Sequence, residues 1–209
     1  MLPDIAAVVL AFLIGSIPVG VIVGRTRGVN IRQQGSGNIG ATNALRVMGW
    51  RVGLFVLAAD ISKGLATVLL ARLALHLDPA WVTATGVAAV IGHCFSPFLG
   101  FDGGKGVATA FGMILAIDWR VGIIAFVFFA VVLALTRYVS LGSIIVAATL
   151  WAVCLALHGE TASAVGFAVV GGIIIQRHSG NIKRLLAGTE NKFGKKARAG
   201  QAAGGGASE

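Results

Sequence analysis

Seven apolar runs, at residues 3–24, 52–77, 81–99, 106–117, 119–136, 139–157 and 161–176, constrain this chain more than any other feature. A helix crosses a hydrocarbon core with about 17 to 25 residues at 1.5 Å each, and most of these runs are that long. The fourth is not: a dozen residues reach only about 18 Å, so it needs the adjoining loop to complete a crossing. The expected fold is an all-α polytopic membrane protein of seven transmembrane helices, with a short fourth helix. Composition agrees, at 12% charged residues against roughly a quarter in soluble domains. The 30 glycines suit helix backbones that approach closely in a bilayer.

Orientation follows from Lys and Arg. With the N-terminus outside, Arg25, Arg27, Arg32, Arg46 and Arg51 fall in the first inner loop, followed by Lys105, then Arg137. The tail from Arg177 to Arg198 adds seven more, and only Arg72 and Arg120 lie near the outer face. Making the fourth run re-entrant would put the basic tail outside, against the positive-inside rule. Seven crossings with the C-terminus cytoplasmic is therefore the expected topology. One transmembrane domain is expected over residues 1–194, with a disordered tail over 195–209 whose lysines can touch anionic lipid. The N-terminus carries Asp4 and no basic segment, so the first run is expected to be retained as a span. Cys94 and Cys154 lie in apolar segments without a CxxC pair and are expected to be buried free thiols.

The outer loops around Asp78, Asp118 and Glu160 are short, so the polar chemistry falls in the inner segments 25–51, 100–106 and 177–194. The first contains GSGNIGATNALR. Gly35, Gly37 and Gly40 can adopt positive φ and expose successive N–H groups as an anion nest. Ser36, Asn38, Thr42 and Asn43 add side-chain hydrogen bonds, and Arg46 offers a fork for two phosphate oxygens. A helix starting near Thr42 would add its N-terminal dipole. The alternative is a plain Gly-rich turn with Arg46 resting at the membrane surface.

The second segment, GFDGGKGVATAFG, sets Lys105 behind Gly103 and Gly104 and ahead of an apolar helix. It lacks the spacing of a nucleotide-binding P-loop, so it reads as a phosphate seat or as a hinge with a snorkelling lysine. In the third, His178 and Asn181 share a face if the last helix continues. Arg184, Glu190, Asn191 and Lys192 read as ordinary interfacial polarity. Asp60 and Lys63, three apart inside a span, are expected to pair. Ser143, His93 and Ser96 read equally well as packing residues or as site residues.

No cluster of Asp, Glu or His has metal-ligand spacing, so neither a metal nor another cofactor is implied. There is no GxSxG elbow, and no His precedes an acidic residue at the spacing of the common membrane acyltransferases. The net charge of +9 is explained by topology rather than by a nucleic-acid partner.

Taken together, GSGNIGATNALR, GGKGVAT and HSGNIKRLLAGTENKFG, with the flanking DISKG and GHCFSPFLGFDGGKG, resemble the bacterial acyl-phosphate:glycerol-3-phosphate acyltransferases over residues 3–194. The resemblance implies a multi-pass inner-membrane enzyme with its site facing the cytoplasm. It would move a fatty acyl group from acyl phosphate to the 1-hydroxyl of glycerol 3-phosphate, giving lysophosphatidate and inorganic phosphate for phospholipid synthesis. Its partners would be those two substrates and the bilayer, with no obligatory protein partner. Ser36, Arg46, Lys105, His178 and Asn181 are then the expected catalytic residues. Gly35, Gly37, Asn38, Thr42, Asn43, Gly103, Gly104 and Ser143 are the expected binding residues. Either His178 or a substrate phosphate oxygen takes the hydroxyl proton; the phosphate is preferred, with His178 as an orienting donor. The competing reading from another class is a transporter or channel for a phosphate-bearing solute.

Overall fold

Pro18 divides the first apolar run into α1 (Leu2–Ser16) and α2 (Val19–Thr26), because a proline inside a helix removes a donor and crowds the preceding turn. Lys63 reinforces this break: its Nζ donates to Gly15 O at 3.2 Å and to Ile17 O at 2.9 Å, the latter also accepting from Val19 N. In this computed structural model, residues 1–158 and 161–194 are described, so the expected disordered tail and Glu160 lie outside the described residues. The remaining helices are α3 (Ala41–Met48), α4 (Trp50–Leu69), α5 (Pro79–Cys94), α6 (Val107–Ile117), α7 (Trp119–Thr136), α8 (Val139–His158), α9 (Thr161–Arg177) and α10 (Ser179–Leu186). No strand occurs among the described residues.

Five stretches are long and apolar enough to cross a membrane: Leu2–Thr26, Trp50–Ala74, Pro79–Leu99, Trp119–Thr136 and Val139–Leu157. The second continues α4 through a π-helical turn, Leu70–Ala74. α6 and α9 are apolar but shorter, with 11 and 17 residues. The short fourth run is thus present as α6, entered through the loop that carries Lys105.

Three helix pairs build the bundle: α1 on α5, α4 on α6, and α8 on α9. Small residues set the α4–α6 distance. A Cβ added at Gly64 would land on the Thr109 carbonyl, and one at Gly112 on the Ile61 carbonyl. In a bilayer such close backbone contact holds helices together, because lipid offers no hydrophobic gain for merely touching. The main core lies among α5, α6, α8 and α9, where Val90, Met113, Phe167 and Ile174 are buried. Ile5, Leu13, Phe55, Ile123 and Phe128 are exposed on α1, α4 and α7, as a lipid-facing surface requires.

Within this apolar frame Asp60, Lys63 and His93 are all buried. Lys63 pairs with Asp60 at 2.8 Å, the expected intramembrane pair, and touches His93 Nδ1 at 3.2 Å. Removing one partner of such a pair costs about 3 to 5 kcal/mol, since the other charge stays buried.

Candidate active site

The three polar loops converge on one end of the bundle. In the first, Asn30 caps a 3₁₀ turn at Ile31–Gln33 by accepting from Arg32 N at 3.2 Å, and buried Ile31 anchors that turn to α2 and α4. Asn43 then organises the loop from inside. Its Nδ2 donates to Ile31 O, Gln34 O and Asn38 O at 3.2, 3.0 and 2.9 Å. Its Oδ1 accepts from Ser36 N at 2.8 Å and from Arg46 Nη1 at 3.3 Å. The whole amide is committed to holding Ser36, Asn38 and Arg46 in place. Gly35 and Gly37 have φ of 63° and 73°, whereas Gly40 is an extended N-cap of α3 at −79°. The helix start near Thr42 is therefore present, one residue earlier.

The second loop is clamped from both sides. Gly103 N donates to Cys94 O at 3.0 Å and Gly104 N to His93 O at 2.9 Å, tying the turn to the end of α5. Arg177, at the end of α9, donates to the Gly103 and Gly104 carbonyls at 2.8 and 3.0 Å. Asp102 accepts from Arg177 at 3.0 Å and from Arg32 of the first loop at 2.7 Å. Lys105 leaves this clamp and donates to Asn181 Oδ1.

The third loop begins where α9 stops. His178 occupies the N-cap of α10 and Asn181 its first turn, so a new helix, rather than a continued α9, puts both in the site. His178 Nδ1 lies 2.7 Å from Ile174 O, so Nδ1 carries the proton and Nε2 is left as an acceptor, not the orienting donor expected from the sequence. Asn181 Nδ2 donates to Glu190 at 2.5 Å, Arg184 Nε to the same carboxylate at 2.7 Å, and Ser140 Oγ at 2.9 Å. Arg137 pins this strap through its Nη2 to Phe193 O at 2.9 Å, and Phe193 N returns a bond to Arg137 O at 2.7 Å.

Together these loops close a cavity of about 330 Å³. Its polar end holds Ser36, Asn38, Thr42, Arg46, Lys105, Ser143, His178 and Asn181, all expected from the sequence. Its apolar end runs along Phe111, Phe129, Val146, Leu150 and Phe167. Phe126 also lines it and is 57% exposed, so the apolar arm opens to the outer face of α7. A side recess of about 190 Å³ shares Ser36, Asn38 and Lys105 with the cavity and adds Gly37, Gly103, Arg32 and Arg177. Gly35 and Gly104 line neither; they shape the chain.

Arg184, Glu190 and Asn191, read from the sequence as interfacial polarity, line the cavity instead, as do Ser140, Asp60 and His93. Glu190 is the only acidic residue in the inner segment 177–194, and that was the available signal. Its burial is what the sequence does not display.

Charge settles unevenly among these groups. Burial, reinforced by the Arg184 charge, lowers Lys105 to about 8, although Glu190 pulls the other way. Burial also lowers His178 to about 4, helped by the Lys105 charge, so its ring is neutral at pH 7. Glu190 stays below the usual carboxylate range, because hydrogen bonds from Asn181, Arg184 and Ser140 outweigh its desolvation.

A family model described as glycerol-3-phosphate acyltransferase matches residues 5–188. A glycerol-3-phosphate acyltransferase of Geobacter sulfurreducens is 45% identical, over 92% of this chain and 99% of its own. Glycerol-3-phosphate acyltransferase 1 of Deinococcus radiodurans is 46% identical, over 93% and 98%. Two crystal structures of PlsY (YgiH), an integral membrane glycerol 3-phosphate acyltransferase, superimpose closely. The glycerol 3-phosphate form has a TM-score of 0.88 at 38% identity, and covers 92% of this chain and 96% of the other. The lysophosphatidic acid form has a TM-score of 0.85 at 37% identity, with the same coverage.

Proposed function

Because this chain belongs to the glycerol-3-phosphate acyltransferase family, we propose that it moves a fatty acyl group from acyl phosphate to the 1-hydroxyl of glycerol 3-phosphate. The products are lysophosphatidate and inorganic phosphate, for phospholipid synthesis. The observation that carries the reading is a cavity that joins a cationic polar end to an apolar arm reaching the surface of α7. Two phosphate-bearing reactants and one acyl tail call for that combination.

In this reading the first loop receives the acyl-phosphate headgroup. Ser36, Asn38 and Thr42 donate to it, Arg46 balances its charge, and Gly35, Gly37 and Asn43 hold the loop's shape. Lys105, Ser143, His178 and Asn181 hold glycerol 3-phosphate, above the turn made by Gly103 and Gly104. Such positioning serves an already activated acyl donor well, since orientation and charge stabilisation lower most of its barrier.

The 1-hydroxyl oxygen attacks the acyl carbonyl carbon, and the carbonyl electron pair moves onto oxygen. Collapse of this intermediate breaks the bond to phosphate. The hydroxyl proton goes to a phosphate oxygen, whose second pKa lies near ~6. That oxygen is a stronger base than an imidazole lowered to about 4. His178 Nε2 therefore accepts from the 2-hydroxyl of glycerol 3-phosphate and orients the substrate, and does not remove the 1-hydroxyl proton.

The topology that serves this chemistry has seven crossings, with α1–α2 as the first, α6 as the short fourth and α9 as the last. The N-terminus is outside, and the site faces the cytoplasm of a bacterial inner membrane, where both reactants carry their charge. Residues 1–194 act as one domain, without a metal, another cofactor or an obligatory protein partner. Purified protein in lipid vesicles tests the reading: acyl phosphate and glycerol 3-phosphate should yield lysophosphatidate and inorganic phosphate in equal amounts. Turnover with acyl-CoA while acyl phosphate stays inert would overturn the donor. Solute flux without acyl transfer would overturn the enzyme reading.

A further inference from the structure

His93 stands at the inner end of α5, level with the Gly103–Gly104 turn, and lines the cavity with only 6% of its surface exposed. Its ring faces that turn closely: a Cβ added at Gly104 would fall on His93 Nε2. The opposite ring nitrogen, Nδ1, lies 3.2 Å from Lys63 Nζ. The ammonium has three protons to place. Two go to Gly15 O and Ile17 O, while Asp60 Oδ1, 2.8 Å away, receives charge but no hydrogen bond. With this ammonium 3.2 Å away, Nδ1 faces a cation and offers it a lone pair rather than a proton. Asp60 lies 3.7 Å from Nδ1, too far to take a proton from it. His93 is therefore the Nε2–H tautomer, and Nε2 has no hydrogen-bond partner among the described residues.

In the familiar catalytic triad a carboxylate holds Nδ1–H and so makes Nε2 a base. Here an ammonium holds the Nδ1 lone pair and makes Nε2–H a polarised donor. We propose that His93 is a further catalytic residue: Nε2–H donates to the acyl carbonyl oxygen of the donor and stabilises the negative charge formed there during attack. Lys63 and Asp60 are positioning residues that fix its tautomer. The placement suits the carbonyl, which lies between a phosphate and an acyl tail. His93 likewise abuts the Gly103–Gly104 turn and lines the same cavity as the apolar Leu57 and Ile61 of α4. A fixed neutral donor also suits an oxygen that is neutral before attack and anionic during it.

The proposal rests on the acyl-transfer reading, and its test separates the two. His93→Asn keeps an oxygen for Lys63 at the Nδ1 position but removes the donor at Nε2; His93→Gln can place an amide N–H near Nε2. The asparagine variant is expected to lose about 100-fold in kcat, with the KM for glycerol 3-phosphate and the Tm unchanged. The glutamine variant should recover part of that loss. Lys63→Met should shift His93 towards a tautomer mixture and lower kcat with it. Nitrogen-15 NMR of histidine-labelled full-length protein in bilayers gives a readout independent of turnover. His93 should be the Nε2–H form at pH 7, and its Nε2 resonance should move when lysophosphatidate, which carries an ester carbonyl, is added. An Nδ1–H tautomer, an unmoved resonance, or wild-type kcat in His93→Asn overturns the assignment. If acyl phosphate is not turned over by the wild type, the donor reading fails and the NMR result still decides on His93.

Discussion

Asn181 donates to Glu190 across 2.5 Å, while its oxygen accepts from Lys105, so one amide joins the cation of the second loop to the carboxylate of the third. The same carboxylate holds Arg184 and Ser140. Glu190→Ala frees all three donors at once. Hydrogen bonds to charged groups contribute about 1.5 to 3 kcal/mol each, so kcat/KM should fall by about 10- to 100-fold. Steady-state kinetics at fixed acyl phosphate checks this, and wild-type efficiency would count against Glu190 as an organiser of the site.

Lys105, lowered to about 8, is charged below that pH and loses its charge as pH rises through it. The KM for glycerol 3-phosphate should therefore climb above pH 8. Lys105→Arg keeps the charge across that range, so its profile should lack the alkaline rise, whatever its absolute rate. A wild-type KM flat to pH 9.5 would remove Lys105 from substrate binding.

His178 is neutral well below its ordinary titration range, because its folded value lies near 4. Acidification from pH 7 should reveal a limb in kcat/KM near ~6, from the substrate phosphate. His178→Gln should lower the rate and keep that limb. Its disappearance in the variant would make the histidine the base. The sign for stability is separate: a lowered folded value means that protonation favours the unfolded chain. His178 should thus destabilise the fold progressively as pH falls from about 6.5 towards 4.

At the α4–α6 contact, Gly64→Ala would set a methyl group against the Thr109 carbonyl, which is backbone and cannot turn aside. Overpacking of this kind costs about 1 to 3 kcal/mol. Thermal unfolding in detergent should report a clear drop in Tm. Gly172→Ala, where added atoms meet nothing within 4 Å, is the matched control.

The proposed topology of seven crossings would place the Lys192 region inside and the N-terminus outside. A cysteine at Lys192 should react with an impermeant maleimide only in inverted vesicles, and one at Asp4 only in right-side-out cells. The native Cys94 and Cys154 are buried, which keeps the background low. Labelling of both positions from one side would contradict the topology.

The apolar runs and the polar loops were legible because each depends on residue type along the chain. Even the pairing of Asp60 with Lys63 follows from a three-residue helical spacing. What stayed hidden depends on contacts between distant segments. Glu190 reads as surface polarity in the sequence, because Ser140, which donates to it, lies fifty positions earlier. His93 is ambiguous in the sequence because its partner Lys63 lies thirty positions away on another helix. Asn43 was legible as a polar loop residue, but its five contacts turn inwards and build the loop. Pro18 lay inside an apolar run that its pattern alone presented as continuous.

Asp102 joins the first and second loops to the end of α9, yet its side chain is 64% exposed. Ion pairs in such a setting are worth about 1 kcal/mol or less and weaken further with salt. The Asp102 ion pairs are accordingly a light latch between the loops, in contrast to the buried Asp60–Lys63 pair. In the proposed reaction, entry of the small water-soluble reactant through the seam between these loops would vary with ionic strength, while the acyl chain would enter by the apolar arm.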